Sequence, residues 1–296
     1  MRSNVLEYAL TQPATLAEAL NALAQDPTLT PIAGGTELMV ALSADRLPQK
    51  NLISINQLSE LRFIALTDDA ITLGSGTTFT DIRKHPAIAS DFPLLAQAAS
   101  WTGSIANQNR GTLGGNIVNA SPAADSPPAL LAYDATLTLV SAAGSRTIPY
   151  SNFHLSYKKT ILAPGELLYS ITLPRKFSGY RSYIRKVGTR NAQAISKIAL
   201  ACLARLSEPA AGEVRRITDI RIGAASLRET PTRCTAAEQA LLDQPLTPST
   251  LPTLIASARA ALASEARPID DIRSTAKYRA AVAANLLEEF LRSLMP

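Results

Sequence analysis

The stretch Thr112-Leu113-Gly114-Gly115-Asn116-Ile117-Val118-Asn119-Ala120-Ser121-Pro122-Ala123-Ala124-Asp125 sets two adjacent glycines among small polar side chains and closes on an acid. Without β-carbons, the glycines let a large anion approach main-chain N–H groups, and they permit positive φ. Thr112, Asn116, Asn119 and Ser121 add short donors, and Asp125 adds a fixed acceptor suited to ribityl or ribose hydroxyls. The stretch reads as a backbone cradle for a phosphorylated cofactor. For a single Gly-Gly pair, an ordinary loop of turn-forming residues is the competing reading.

A second stretch of the same character lies nearer the N-terminus. Pro31-Ile32-Ala33-Gly34-Gly35-Thr36-Glu37-Leu38 follows a short extended run and precedes the apolar Met39-Val40-Ala41-Leu42. This predicts a strand, a tight glycine turn and a helix start, which together aim several N–H groups and the positive end of a helix dipole at one point. A phosphate or pyrophosphate is favoured there, although the segment alone reads equally well as a structural turn. It is neither the dinucleotide fingerprint G-x-G-x-x-G nor a P-loop, which disfavours a nicotinamide Rossmann site and a nucleotide-triphosphatase site.

Taken together, the two stretches resemble the FAD-binding domain of the molybdenum hydroxylases, the family of xanthine dehydrogenase, aldehyde oxidoreductases and aerobic carbon monoxide dehydrogenase. Ala33 to Leu38 match the family's Ala-Gly-Gly-Thr-(Asp/Glu)-Leu loop, Gly111 to Asn116 its Gly-Thr-(Ile/Leu)-Gly-Gly-Asn loop, and Asp125 the acid that follows. Further matches are Gly74 to Thr78, Leu130 to Ala135, Pro164 to Leu168 ahead of Ile171 to Pro174, and Tyr183 to Val187 with Arg190 and Ile195. The resemblance covers almost the whole chain.

That resemblance implies an α+β fold. A two-lobed FAD-binding domain of the vanillyl-alcohol-oxidase-like type is expected over residues 1–176, with lobes of about 1–57 and 58–176. A small α+β domain with antiparallel strands and a C-terminal helical bundle is expected over 177–296. The implied FAD contacts are Pro31, Ile32, Ala33, Gly34, Gly35, Thr36, Glu37 and Leu38, then Gly111, Thr112, Leu113, Gly114, Gly115 and Asn116, with both glycine stretches gripping the cofactor through backbone N–H groups. Ser121 is a further expected FAD contact, Asp125 is expected at FAD hydroxyls, and Thr102, Leu168 and Lys186 at the flavin ring. Trp101 is the alternative to Thr102 as a flavin wall, and a lysine at the ring's polar edge favours extra negative charge on the reduced flavin.

The sequence also departs from the family. Where many relatives read Gln-Ile-Arg-Asn before the second glycine pair, this chain reads Ala106-Asn107-Gln108-Asn109, so Gln108 replaces the arginine and Arg110 is the nearest charge. An acid common after the lysine segment is Ala194 here, and another in the strand after the first loop is Ser54. These changes bear on the tuning of the flavin and on its partner surface, and leave the glycines untouched.

Composition limits the other possibilities. With 296 residues, 46% of them hydrophobic, the chain can bury a substantial core. Its 29 basic and 24 acidic residues leave a net charge of +5 without a long basic run, which disfavours nucleic acid as a partner. The two cysteines, Cys202 and Cys234, are too few for an iron–sulfur cluster on this chain, and Cys202 in the apolar run Ile198 to Leu203 reads as a small buried hydrophobe. Two histidines, His85 and His154, and no clustered carboxylates make a metal site or a histidine-based triad improbable. Met1 to Tyr8 has no apolar core of a secretory signal, and no run of about eighteen apolar residues offers a membrane span. The expected location is cytoplasmic, or periplasmic only by export with a signal-bearing partner.

Along the chain, Thr15 to Ala24 reads as a Thr-capped helix, Leu52–Ile55 and Ile71–Leu73 as short strands, and Pro93–Ala99 as a helix. Asp134–Val140 and Leu167–Leu173 read as strands, and Lys176–Gly179 as a boundary. Strands follow at Tyr183–Val187, Ser196–Leu206 and Ile217–Ala225, with helices from Ala236 onward. The last helix is expected over Ser274–Leu294, with Ser274 as its cap and Ala281, Leu287, Phe290, Leu291 and Leu294 in an apolar stripe.

The functional expectation joins a flavin site to the lack of any visible substrate chemistry, since no catalytic residue stands out. The resemblance implies the FAD-carrying medium subunit of a three-subunit enzyme. A molybdopterin-binding large subunit would oxidise the substrate, and a small subunit with two [2Fe–2S] clusters would feed electrons to FAD. NAD+, oxygen or another carrier would accept them. A self-sufficient flavin oxidase and a non-catalytic nucleotide-binding module are the alternatives.

Overall fold

The computed structural model describes residues 4–190, 193–208 and 214–295, so the first three residues of the Met1 to Tyr8 stretch lie outside the described residues. The chain begins with a small parallel sheet. Strands β1 (Ala9–Thr11), β2 (Thr30–Ile32) and β3 (Asn51–Ser54) lie in the order β1-β3-β2, with helix α1 (Leu16–Gln25) and the short α2 (Leu38–Ser43) between them. Thr15 caps α1 by accepting from the Glu18 N–H, and Ala19 and Leu23, one turn apart, bury its inner face with Ile53 and Leu61.

A second lobe surrounds a five-stranded antiparallel sheet. Strands β4 (Ile64–Leu66) and β5 (Ala70–Gly74) come first, and five helices follow: α3 (Phe79–Lys84), α4 (Pro86–Asp91), α5 (Pro93–Trp101), α6 (Ile105–Arg110) and α7 (Leu113–Val118). Helix α8 (Pro127–Ala132) then leads into β6 (Thr136–Ser141) and β7 (Gly144–Pro149), the small hairpin β8 (His154–Ser156) and β9 (Lys159–Thr160), and the long β10 (Leu167–Pro174). The order is β4-β5-β10-β6-β7, so the last strand of the lobe sits at its centre. Its inward residues Leu168, Ile171 and Leu173 join Ile71, Leu73, Leu137 and Leu139 in one core, where Phe92 and Tyr133 meet edge to face at 5.2 Å.

The C-terminal domain is a four-stranded antiparallel sheet, β11 (Arg181–Val187), β12 (Ile198–Leu206), β13 (Ile217–Ala225) and β14 (Thr232–Arg233), followed by helices α9 (Thr235–Leu241), α10 (Leu251–Glu265) and α11 (Ala276–Ser293). Strand β12 is apolar on both faces because both are covered. Ile198, Leu200, Cys202 and Ala204 point into the core shared with α9, α10 and α11, whereas Ala201 and Leu203 point into the core of the second lobe, against α8. The period-two alternation of one strand therefore divides its side chains between two domains.

Three expectations change. Gly114 and Gly115 lie inside the helical segment α7 rather than in an open loop. Helix α11 is capped by Thr275, which accepts from the Tyr278 N–H, while the N–H of Ser274 turns back to Asp271. Ala281 is exposed; the buried stripe runs through Arg279, Ala283, Leu286, Leu287, Phe290 and Leu291, because six residues back from Leu287 lies off its helical face.

Candidate functional site

The two glycine stretches, far apart in sequence, close on one cleft of about 550 Å³ between the lobes. All eight residues Pro31 to Leu38 line it. β2 delivers this segment, and the Ile55 N–H donates to the Ile32 carbonyl at 3.0 Å just before the chain turns. Gly35 sits at φ +75°, and a β-carbon at Gly34 would lie 1.7 Å from the Arg110 carbonyl oxygen at the end of α6. The first loop is thus seated directly on the backbone that leads into the second. Among the described residues, the N–H groups of Gly34, Gly35, Thr36 and Glu37 donate to no protein acceptor, and all four residues line the cleft, which leaves their amides available to a ligand.

The second wall works differently. Thr112 accepts the Gly115 N–H at 3.1 Å, the Leu113 N–H donates to the Thr77 carbonyl at 2.9 Å, and the Gly114 N–H donates to the Ser75 carbonyl at 2.9 Å. These amides are spent on the protein, so the glycines of α7 do not present the open N–H groups expected of them. Their role is close approach. A β-carbon at Gly114 would lie 2.5 Å from the Ser75 β-carbon, so only glycine lets α7 lie flat against the Gly74 to Thr78 turn and keep Thr112, Gly115 and Asn116 in the cleft wall.

The remaining expected residues divide. Gly111, Thr112, Gly114, Gly115, Asn116, Thr102 and Leu168 line the cleft, while Leu113 is buried behind it. Thr102 ends α5, its hydroxyl donating to the Ala98 carbonyl at 2.9 Å, and Leu168 precedes a register shift between β10 and β6 that redirects the strand locally. Ser121, Asp125 and Lys186 stand outside the lining. Ser121 caps its own turn by accepting from the Ala123 N–H. Lys186 on β11 donates to Asp125 at 2.5 Å and to the Trp101 carbonyl at 3.2 Å, and the Ser196 hydroxyl donates to the other Asp125 oxygen at 2.6 Å. Burial pushes the Asp125 carboxyl above its usual range, with Lys186 and Ser196 acting against that shift. This cluster lies directly behind the Thr102 wall and joins it to the C-terminal domain.

The substitutions away from the family pattern also find places. Gln108 is buried, donating to the Ser100 carbonyl at 3.0 Å, with its Oε1 unpartnered. Arg110 is exposed, and Ser54 pairs with Ile32 across the parallel sheet. Ser75, Gly76, Asn107, Lys158 and Glu166 also line the cleft without standing out in the sequence as site residues, and Asn119, one of the short donors after the second glycine pair, lines it with them. The Gly74 to Thr78 segment matches the family in sequence, and the fold places its Ser75 and Gly76 at the cleft. Lys158 had no local signal at all.

Two family matches cover nearly the whole chain. Residues 6–176 match the FAD binding domain in molybdopterin dehydrogenase, and residues 183–294 match the CO dehydrogenase flavoprotein C-terminal domain. The chain belongs to the flavoprotein subunits of the molybdenum hydroxylase family. It is 35% identical over 242 residues to the xanthine dehydrogenase FAD-binding subunit of Escherichia coli O157:H7, covering 80% of each chain. It is 29% identical to the glyceraldehyde dehydrogenase medium chain of Sulfolobus acidocaldarius, covering 92% of this chain and 93% of that one. Among solved structures, a carbon monoxide dehydrogenase from Hydrogenophaga pseudoflava superposes with a TM-score of 0.89 at 27% identity, covering 96% of both chains.

For this flavoprotein subunit, the cleft geometry fits the cofactor its family binds. Amides free of protein partners at Gly34 to Glu37 suit a diphosphate, and the apolar Leu167 and Leu168 in the same lining suit a ring system. Among the described residues, no cluster of three metal-ligating side chains forms, and no helix is long and apolar enough to cross a membrane.

Proposed function

We propose that this flavoprotein subunit relays electrons within a heteromeric molybdenum hydroxylase, taking them from the [2Fe–2S] clusters of a small partner and passing them to NAD+, oxygen or another acceptor. Substrate oxidation would belong to a molybdopterin-binding large partner. FAD, when bound, exchanges electrons singly or in pairs, and so joins one-electron clusters to a two-electron carrier. The chain's own residues hold and shield it. The Gly34 to Glu37 amides receive the diphosphate, the Thr112 to Asn116 wall and Leu168 exclude water from the ring, and Lys186 with Asp125 fixes the Trp101–Thr102 wall from behind.

One observation carries the reading. The cleft brings two distant glycine stretches together, yet its charged lining among the described residues is only Glu37, Lys158 and Glu166. Glu166 is held by both arms of Arg146 at 2.7 Å, so it is not a free base for an organic substrate. Such a lining suits a held cofactor better than a second substrate.

The test is expression of the tagged chain with its genomic neighbours. Co-purification of a molybdopterin subunit and a cluster-bearing subunit, with flavin absorption bands that bleach on substrate addition, is expected. A yellow protein that oxidises an organic substrate alone would establish the self-sufficient oxidase instead. A chain that takes up no FAD on reconstitution would sink the relay reading.

A further inference from the structure

The hairpin of β8 and β9 places its turn residue Lys158 in the cleft lining, where it holds φ +58°, a left-handed conformation unusual for a residue with a β-carbon. Glycine or asparagine would fill that turn with less strain, so the lysine side chain is presented there at a backbone cost. Its ammonium donates to Asn119 Oδ1 at 2.6 Å, just past α7, and lies 3.4 Å from Glu37 Oε1 in the first glycine loop. It thereby spans both walls of the cleft. Among the described residues that line the cleft it is also the one cation, beside the acids Glu37 and Glu166.

A dinucleotide diphosphate carries two negative charges, and open amides supply only partial positive charge to meet them. We propose that Lys158 is the counter-charge for the diphosphate of the bound flavin dinucleotide, held ready by Asn119 and Glu37 and exchanged from Glu37 to the phosphates on binding. The proposal rests on the reading of the cleft as the FAD site. On this basis the β8–β9 hairpin is a clasp: without ligand it ties loop to helix through Lys158, and with ligand the same side chain ties both walls to the cofactor. It also makes the site selective for a flavin carrying a diphosphate, because a ligand without phosphates leaves the Lys158 contact with Glu37 undisturbed.

The experiment measures FAD affinity of the full apo-chain, by quenching of flavin fluorescence at low and at moderate salt, for the wild type, Lys158→Asn and Lys158→Arg. Asparagine accepts the left-handed turn, so the hairpin is kept while the charge is lost. Lys158→Asn is expected to weaken FAD binding at least tenfold at low salt and to flatten its salt dependence, because exposed charge pairs are screened by added ions. Lys158→Arg is expected to stay near wild type in both respects. Affinity of Lys158→Asn within twofold of wild type overturns the proposal. So does a weakening that leaves the salt dependence unchanged, since that marks a structural loss. A wild-type chain that binds no FAD at all refutes the flavin site itself, a result distinct from either.

Discussion

Lys186 and Asp125 meet at 2.5 Å with side chains only 11% and 10% exposed, and the pair joins β11 of the C-terminal domain to the segment between α7 and α8. Both charges have left water, so each depends on the other. Removing one partner, as in Lys186→Met, is expected to cost about 3–5 kcal/mol of stability because the carboxylate is left buried and unpaired. Lys186→Met combined with Asp125→Leu should recover most of that loss. Denaturant unfolding of the two single variants and the double variant checks this; additive losses would show the pair to be uncoupled.

Gly34 tests the seating of the first loop. With a β-carbon directed 1.7 Å from the Arg110 carbonyl oxygen, Gly34→Ala must push the loop off α6. The expected result is loss of FAD binding by tenfold or more, with circular dichroism of the chain unchanged. Retention of wild-type affinity would mean that the loop position does not matter to the site.

His154 makes stability depend on pH. Burial lowers its pKa to about 4, and its Nε2 lies 2.9 Å from the Tyr150 hydroxyl. The unfolded chain takes up this proton at about pH 6.5, before the folded one does, so stability is lost as pH falls from there towards 4 and the effect levels off below that. Discounted for the part of the ring still in water, the loss is about 2 kcal/mol. In His154→Asn this part of the slope should vanish. Unfolding free energies between pH 7 and 4 for both proteins measure it, and parallel slopes would refute the assignment.

Leu203 and Leu200 lie on opposite faces of β12, the first in the core of the second lobe and the second in the C-terminal core. Leu→Ala at either is expected to cost about 2–5 kcal/mol. The two should differ in kind. Leu203→Ala weakens the packing between domains and is expected to split a single calorimetric transition into two, whereas Leu200→Ala should lower one transition without dividing it. Identical calorimetric traces would refute the division of labour along the strand.

Much of this architecture is legible in the residues because local chemistry and tertiary role agree. Thr15 marks the start of α1, the run Ile198 to Leu203 marks a strand covered on both faces, and Ala33 to Thr36 mark a turn where side chains would collide. Other features depend on partners distant in the chain. Gly114 and Gly115 are poor helix formers, and α7 forms around them because the amides of Leu113 and of Gly114 itself dock on the Thr77 and Ser75 carbonyls. Lys158 occupies a left-handed turn position that glycine or asparagine usually fills. Asp125 reads as a ligand acceptor, and only the fold reveals Lys186 of β11 as its partner. Ala281 reads as part of the apolar stripe of the last helix, whereas its angle on α11 turns it to solvent.

The division of β12 between two cores also limits how such chains can be recombined. A crossover between relatives placed between β10 and β11 would unite an α8 adapted to one strand with a β12 adapted to another helix. Ala201 and Leu203 would then face foreign neighbours while Leu200 and Cys202 kept their own. Exchange of the C-terminal domain should therefore succeed only when α8 travels with it, which makes the inherited unit larger than either domain.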